Sequence, residues 1–414
     1  MKIAIIGTGI SGLVAAHLLH GEHDVTVFEA NDYIGGHTNT VEVTLDGRAY
    51  AVDTGFIVYN ETTYPRFTKL LRQLHVATRP THMSFSVQSA RTGLEYAGTN
   101  VNTLFAQRRN LLRPAFHRMW WDILRFNREA RALLGPLGQR QTLGAFLAQR
   151  RFSAAFVQQY LVPMAAAIWS ADPASVYDFP GATFARFFHN HGLLSVTGQP
   201  QWRVVDGGSA RYVEALTRPF RERIRLATRV VRVNRHETHV TLTPENGVPE
   251  TYDRVILATH SDQALRLLAD PTPAERDVLG AIGYQRNEAV LHTDASLLPR
   301  SRRAWAAWNY HVPAEASGVS TVTYNQNILQ GLDAPRPLCV TLNRSHDIDP
   351  DTVLRRFVYH HPVFDEAAIA AQQRHGEIDG QHRTHFCGAY WGYGFHEDGV
   401  NSALAVCRAF GRSL

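Results

Sequence analysis

Gly7-Thr8-Gly9-Ile10-Ser11-Gly12, with Glu29 seventeen residues beyond Gly12, is the first group in this 414-residue sequence whose types and spacing could do chemistry. Gly7 permits a sharp turn, Gly9 lets an anionic group approach the backbone, and Gly12 lets a helix pack close to a strand. The N–H groups that open the following helix, those of Ile10 and Ser11 among them, favour phosphate together with the positive end of its dipole. A carboxylate at Glu29, next to Ala30, can accept hydrogen bonds from a ribose diol and disfavours a 2′-phosphate, so the group reads as a dinucleotide site that disfavours NADP. The elements that must position it lie on either side. Lys2–Ile6 (KIAII) reads as a buried strand, Leu13–His20 has helical spacing, and Asp24–Phe28 (DVTVF) reads as a second strand. Three glycines inside the apolar stretch, and no small-x-small cleavage pattern, argue against a signal peptide.

Further glycine-centred groups follow. Gly35-Gly36-His37 comes six residues after Glu29. Val41–Val52 alternates around Asp46-Gly47, a two-residue hairpin signal, and leads into Asp53-Thr54-Gly55-Phe56. Gly207-Gly208 stands at a strand-to-helix turn. Arg225–Val233 reads as one strand. Tyr252–Thr259 reads as another, with Ala258-Thr259 at its end and Ser261 or Asp262 capping the next helix. Near the C-terminus, Gly388 precedes Tyr390-Trp391-Gly392-Tyr393-Gly394-Phe395, then His396-Glu397-Asp398-Gly399-Val400-Asn401 and an apolar helix to Phe410.

In this order the groups resemble the FAD-binding superfamily that includes flavin amine oxidases, protoporphyrinogen oxidase and phytoene desaturases. The resemblance implies an α/β fold, α+β overall: a Rossmann-like FAD-binding domain of the glutathione-reductase/amine-oxidase type with an inserted substrate domain. Residues 1–56, 202–284 and 380–414 would form the FAD domain, and 57–201 and 285–379 the substrate domain. By the same resemblance Thr54, Gly55, Phe56, Gly207 and Gly208 border the flavin, and main-chain atoms of Val230 meet the adenine. Ala258-Thr259 ends a strand at the cofactor, and Gly388 suits the pyrophosphate. Asp398 stands at a helix start where Gly399, Val400 and Asn401 would point N–H groups at the flavin N1–C2 edge. Two positions depart from the pattern: His37 replaces an arginine that contacts phosphate, and Ala389 replaces an acid.

The chain is further similar to a bacterial group of predicted FAD/NAD-binding oxidoreductases. The likeness lies in Gly35-Gly36-His37-Thr38-Asn39, in Asp53 to Asn60, in Phe187-Phe188-His189-Asn190-His191-Gly192, in Trp305-Ala306-Ala307-Trp308-Asn309-Tyr310 and in Cys387 to Gly399. That group is similar to the N-terminal flavoprotein domain of plant cyclopropane fatty acid synthases. The resemblance implies an acyl-lipid substrate and functional association with such a synthase. Many amine oxidases of the superfamily hold a water near flavin N5 with a lysine, expected here near Asn287 and Glu288. The only lysines are Lys2 and Lys69.

The leading expectation is an FAD-dependent dehydrogenase or desaturase that takes a hydride from a hydrophobic, acyl-chain substrate. A flavin amine oxidase, a redox-neutral flavin-dependent isomerase and a non-catalytic lipid-presenting FAD binder are the alternatives. His37, His189, His191, Arg203 and Glu397 are candidates for proton transfer, histidine having the most suitable ordinary pKa. Tyr59, His189, His191, Trp202, Arg203, Tyr393 and Phe395 are expected to line the pocket. No acid stands close to His189-Asn190-His191, so the segment reads as core or pocket lining and no metal is expected.

Composition bounds these readings. Hydrophobic residues make up 44% and charged residues 19%, as in ordinary soluble proteins, and a net charge of +5 does not suggest nucleic acid. No apolar run approaches the roughly 18 residues of a membrane span. Cys339, Cys387 and Cys407 share no metal-like spacing and read as buried thiols in a reducing, cytoplasmic setting. The pattern from Asn110 to Leu134 is helical, and the stretch 108–131 is amphipathic and arginine-rich and carries Trp120 and Trp121. It reads as a substrate-domain helix, with peripheral contact at the inner face of a membrane as the competing expectation.

Overall fold

A computed structural model describes residues 1–195 and 197–414. Five parallel strands lie in the order Ile224–Arg225, Asp24–Phe28, Lys2–Ile6, Arg254–Leu257 and Thr384–Phe386. Their side chains alternate between two faces. Ile3 and Ile5 join the helices Ile10–Leu19 and His396–Arg408 through Leu13, Val14, Val400 and Ala403. Ala4 and Ile6 join the helices Ser261–Leu267 and Pro273–Gly280 through Ala264, Val278 and Leu279. Burial on both faces explains why these strands read as continuous apolar runs. Ile6 lies beside both Phe28 and Leu257, and Leu257 beside Phe386. The turns carrying Gly7, Glu29, Ala258 and Gly388 therefore leave the same edge of the sheet. In open parallel sheets this carboxyl edge is where ligands bind.

A second sheet has seven strands, in the order Val353–Pro362, Tyr284–His292, Cys339–Leu342, Val322–Asn325, Trp308–Val312, Phe85–Ser89 and Glu95–Ala97. Two distant chain stretches build it, joined by the one parallel pair, Trp308–Val312 with Phe85–Ser89. Helices between residues 114 and 190 cover it, and Phe126, Phe146, Phe156, Phe184 and Phe188 fill the space between. A smaller sheet places Trp202–Val205 between Val58–Asn60 and Thr78–Pro80.

The Asp46-Gly47 hairpin forms as expected. Both residues adopt positive φ, 49° and 80°, and the strands Thr40–Leu45 and Arg48–Asp53 flank them. Two expectations are corrected. Arg225–Val233 is not one strand. Ala227 turns at φ 48°, so that Ile224–Arg225 joins the parallel sheet while Val230–Arg235 joins a separate antiparallel one. The cap before Ser261 is His260, and Asp262 lies in the first helical turn. His360-His361-Pro362 ends a ten-residue strand, held by pairing with Tyr284–His292.

Candidate cofactor and substrate site

The glycine turn shows three different uses of a missing side chain. A Cβ on Gly7, at φ 107°, would lie 2.6 Å from the Ala258 carbonyl oxygen. A Cβ on Gly12 would lie 2.0 Å from the Gly7 carbonyl oxygen. Both glycines are needed for the helix to meet the strands. A Cβ on Gly9 would meet nothing within 4 Å, so the open space beside it belongs to a ligand rather than to packing. Glu29 is buried at the adjacent strand end. One carboxylate oxygen accepts from the Thr8 N–H at 3.0 Å and from the Thr8 hydroxyl, and the other from the Asn31 N–H at 2.9 Å. A carboxylate has about four acceptor sites, so one remains for a ribose hydroxyl. Ala227 and Thr228 donate to the carbonyls of Asn31 and Glu29, both at 2.8 Å. Val230, by contrast, is paired with Pro244. The main chain at 227–228 thus lies beside the ribose acid.

Gly36 packs on Gly9, and His37 follows it into a cluster of imidazoles. The His37 ring lies 5.0 Å from Tyr359, 5.4 Å from His361 and 5.9 Å from His260, centroid to centroid. His260 stacks on Tyr284 at 4.6 Å. His361 Nδ1 accepts from the Asn287 amide at 3.0 Å. Burial holds all three imidazoles far below the usual value, to about 4 for His37 and about 3 for His260 and His361, and their mutual proximity lowers them further. His37 Nε2 is buried without a hydrogen-bond partner. Asp262, already paired with Arg266 at 2.7 Å, is the carboxylate that bears on His260. A diphosphate is the anion this cluster lacks, and it would favour the imidazolium forms. His37 thus fits the phosphate role of the arginine it replaces.

Gly207 and Gly208 turn at φ 77° and 94° against the 40–53 hairpin. Asp53 fastens this turn. Its carboxylate accepts from the Ser209 N–H at 2.9 Å, the Thr40 hydroxyl at 2.5 Å and the Gln330 amide at 2.9 Å, and burial lifts its pKa to about 6. Thr54 donates to the Asn39 carbonyl at 2.9 Å, and Gly55 lies against the His37 carbonyl. Phe56 stacks on His396 at 3.4 Å. His396 Nε2 meets Tyr212 Oη at 2.9 Å and Thr38 Oγ1 at 3.0 Å. Sequence reading passed over His396. Its signal was its place at the start of the last helix, immediately before Glu397.

That helix brings a second N-terminus to the crevice. Gly399 lies against Ile10 and Ser11, where a Cβ would come within 2.5 Å and 3.0 Å of side-chain atoms. Gly388 donates to Ser402 Oγ at 3.0 Å. The Gly399 N–H already donates to the Phe395 carbonyl at 3.1 Å, and those of Val400 and Asn401 lie within the helical ladder. The free N–H groups of the first turn are instead those of His396, Glu397 and Asp398, a correction of one turn. Asp398 accepts from the Phe395 N–H at 3.0 Å, and burial lifts its pKa to about 7.

A cavity of about 490 Å³ is walled by this first turn and by the insertion, including Tyr64, Arg66, His191, Tyr393, Phe395 and Asn401. It brings His191, Tyr393 and Phe395 together as expected. A smaller concavity of about 440 Å³, with Trp202 and Trp305 in its wall, lies apart from the last helix. Four expected residues fall elsewhere. His189 is exposed on the opposite side of its helix. Arg203 is held by Thr78, through Oγ1 and the carbonyl, both at 3.1 Å. Tyr59 is buried among Tyr64 and Phe67. Trp202 lies 6.4 Å from the His191 ring but faces the smaller concavity. Glu397 borders the cavity, yet its two oxygens accept from the N–H groups of Arg66 at 3.1 Å and Phe67 at 2.9 Å. It caps the helix Pro65–Gln73 instead of serving as a free base. His191 Nδ1 lies 2.9 Å from the Phe187 carbonyl, so Nδ1 donates and Nε2 is left to accept a proton. Burial holds this imidazole below its usual pKa.

A crevice at the sheet's carboxyl edge, met by two helix N-termini from opposite ends of the chain, defines an FAD-binding oxidoreductase. Residues 10–292 match the model of the family described as flavin-containing amine oxidoreductase, and the chain belongs to that family. AofH of Mycobacterium tuberculosis, named a flavin-containing monoamine oxidase, is 25% identical over 86% of this chain and 74% of its own length. Cyclohexylamine oxidase from Brevibacterium oxydans shares the fold, with a TM-score of 0.69 and 17% identity over 99% of both chains. A CLA-producing fatty acid isomerase from P. acnes does so with a TM-score of 0.69 and 14% identity, over 99% of this chain and 98% of its own.

The residues around Gly9 and Glu29 thus fit FAD, and Glu29→Gln tests the fit. The amide loses the charge and turns its NH2 towards the N–H of Thr8 or Asn31, so the cost is at least the roughly 1.5–3 kcal/mol of a hydrogen bond to a charged group. FAD should bind about ten- to a hundredfold more weakly, with its bound spectrum unchanged. Flavin titration checks this, and unchanged affinity would remove Glu29 from the ribose site.

Proposed function

We propose that this enzyme oxidises an apolar substrate carrying an anionic head, of the acyl carboxylate class. The observation that carries the reading is the one guanidinium in the cavity wall. Arg66 stands in its wall, hydrogen-bonded to Asn401 Oδ1, while Glu397 and Asp398 are both engaged as helix caps. Tyr393 and Phe395 supply apolar surface. A substrate carboxylate would find a guanidinium in this wall, whose two carboxylates already hold backbone N–H groups. The absence of any lysine after Lys69 also speaks against amine oxidation by the route its relatives use.

Bound FAD supplies the two-electron acceptor. The chain's own part is to hold the head at Arg66, to exclude water with Tyr393 and Phe395, and to receive a proton at His191 Nε2. Arg66→Met should raise KM for a fatty acid about tenfold or more, by loss of a charge-assisted hydrogen bond, and leave kcat nearly unchanged. Steady-state kinetics with free acids and their methyl esters checks this. An equal loss on both would mean that Arg66 does not read the head group.

A redox-neutral isomerase is the second reading, supported by the fatty acid isomerase that shares the fold. It predicts a product of unchanged mass and no net flavin reduction.

A further inference from the structure

We propose that the helix Pro114–Glu129, with the turn before it, docks the protein on an anionic membrane surface. Its inner face is core: Phe116, Met119, Ile123 and Phe126 are each at most 4% exposed, so the element is firmly seated. Its outer face is not covered. Leu112 is 88% exposed, Trp121 65%, Leu124 51% and Leu111 50%. These four are among the most exposed large apolar side chains of the described residues, and they lie together on one short stretch of chain. Trp121 and Leu124, three residues apart, are neighbours on one helix face. A cluster of this kind on a folded surface marks a site of contact.

The charge around the cluster selects the partner. Asp122 points inward, fully buried, and takes Arg118 and Arg125 at 3.2 Å each and the Ser153 N–H at 3.0 Å. Glu129 makes only long contacts of 3.9 Å with Arg128 and Arg150. Arg113 and Arg131 have no carboxylate partner among the described residues. The outer face is therefore cationic and apolar together, with a tryptophan between them. This is the composition of an element lying in the headgroup layer of an anionic bilayer. No helix among the described residues is long and apolar enough to cross a membrane, so the contact is peripheral. The inference does not rest on the substrate reading: it is decided by vesicle binding, and that reading by substrate kinetics.

The test uses the FAD-loaded full chain and two vesicle preparations, phosphatidylcholine alone and phosphatidylcholine mixed with phosphatidylglycerol. Arg118 and Arg125 are left intact because they neutralise buried Asp122. The variants are Leu112→Ser with Trp121→Ser, and Arg128→Glu with Arg131→Glu. All four positions are exposed, so flavin content and circular dichroism should match the parent. The parent should co-sediment with the mixed vesicles, weaken as salt rises, and show a blue shift of tryptophan emission on binding. Each double variant should bind at least about tenfold more weakly. Three results would overturn the proposal: parent protein left in the supernatant with both vesicles, equal binding of parent and variants, or a parent dimer that the variants convert to monomer, which would give the face to a second copy.

Discussion

Gly9→Val should purify as a folded, colourless protein. The structure separates this glycine from Gly7 and Gly12, because a Cβ at residue 9 would meet no atom beyond its chain neighbours within 4 Å. Its backbone, at φ −63° and ψ 172°, suits any residue. A valine there leaves the strand, the turn and the helix in place but fills the space a diphosphate must enter. FAD retention should fall from stoichiometric to undetectable while the circular dichroism spectrum stays that of the parent. Gly12→Val is the contrasting case. Its Cβ would lie 2.0 Å from the Gly7 carbonyl oxygen, so the helix must move, and soluble protein should be lost along with flavin. A yellow Gly9→Val protein would show that the open space is not the cofactor's.

The second large effect is on stability against acid. His37, His260 and His361, with pKa values of about 4, 3 and 3, stay neutral in the fold at pH values where an unfolded chain protonates them. His292 and His311, each held at about 4 by burial, behave alike. The unfolded state then binds more protons, so this contribution is complete above pH 6.5 and is lost as the pH falls from 6.5 towards 4. Each such histidine changes stability by up to about 1.4 kcal/mol per pH unit. Two acids act oppositely. Asp53 and Asp398, raised to about 6 and 7, keep protons in the fold that the unfolded chain releases above about pH 4, so their contribution declines as pH rises to 7. Five histidines outweigh two acids, and the apoprotein should lose several kcal/mol between pH 6.5 and 5, a fall in Tm on the order of 10 °C. With FAD bound the dependence should be shallower, because a diphosphate favours the protonated cluster. Thermal unfolding of apo and loaded protein across this range checks both. A Tm that is flat or rises on acidification would mean that the imidazoles are not buried neutral.

What could be read from the sequence was local. The strand, glycine turn, helix, strand and acid lie within about thirty residues, and the Asp46-Gly47 hairpin closes on itself, so each carries its own signal. Contacts between distant segments were not legible. Glu397 looked like a free base because the helix it caps, at Arg66 and Phe67, lies some 330 residues away. The pair His360-His361 carries no local strand signal, because its strand is fixed by pairing with Tyr284 to Asn287. That pairing assembles the histidine cluster at the position expected for one arginine. One error had a readable remedy. Phe184, Phe187, Phe188 and His191 follow helical spacing, and His189 falls off that face, so only His191 could share it. The missing lysine was legible, since it is a matter of composition.

The most direct test of the account is anaerobic mixing of the FAD-loaded enzyme with two substrate panels, long-chain fatty acids and primary or secondary amines, while the flavin absorbance is followed. Arg66 in the cavity wall predicts bleaching by a member of the fatty acid panel, slowed in Arg66→Met, and none by any amine. Bleaching by an amine, with every acyl carboxylate inert, would contradict it.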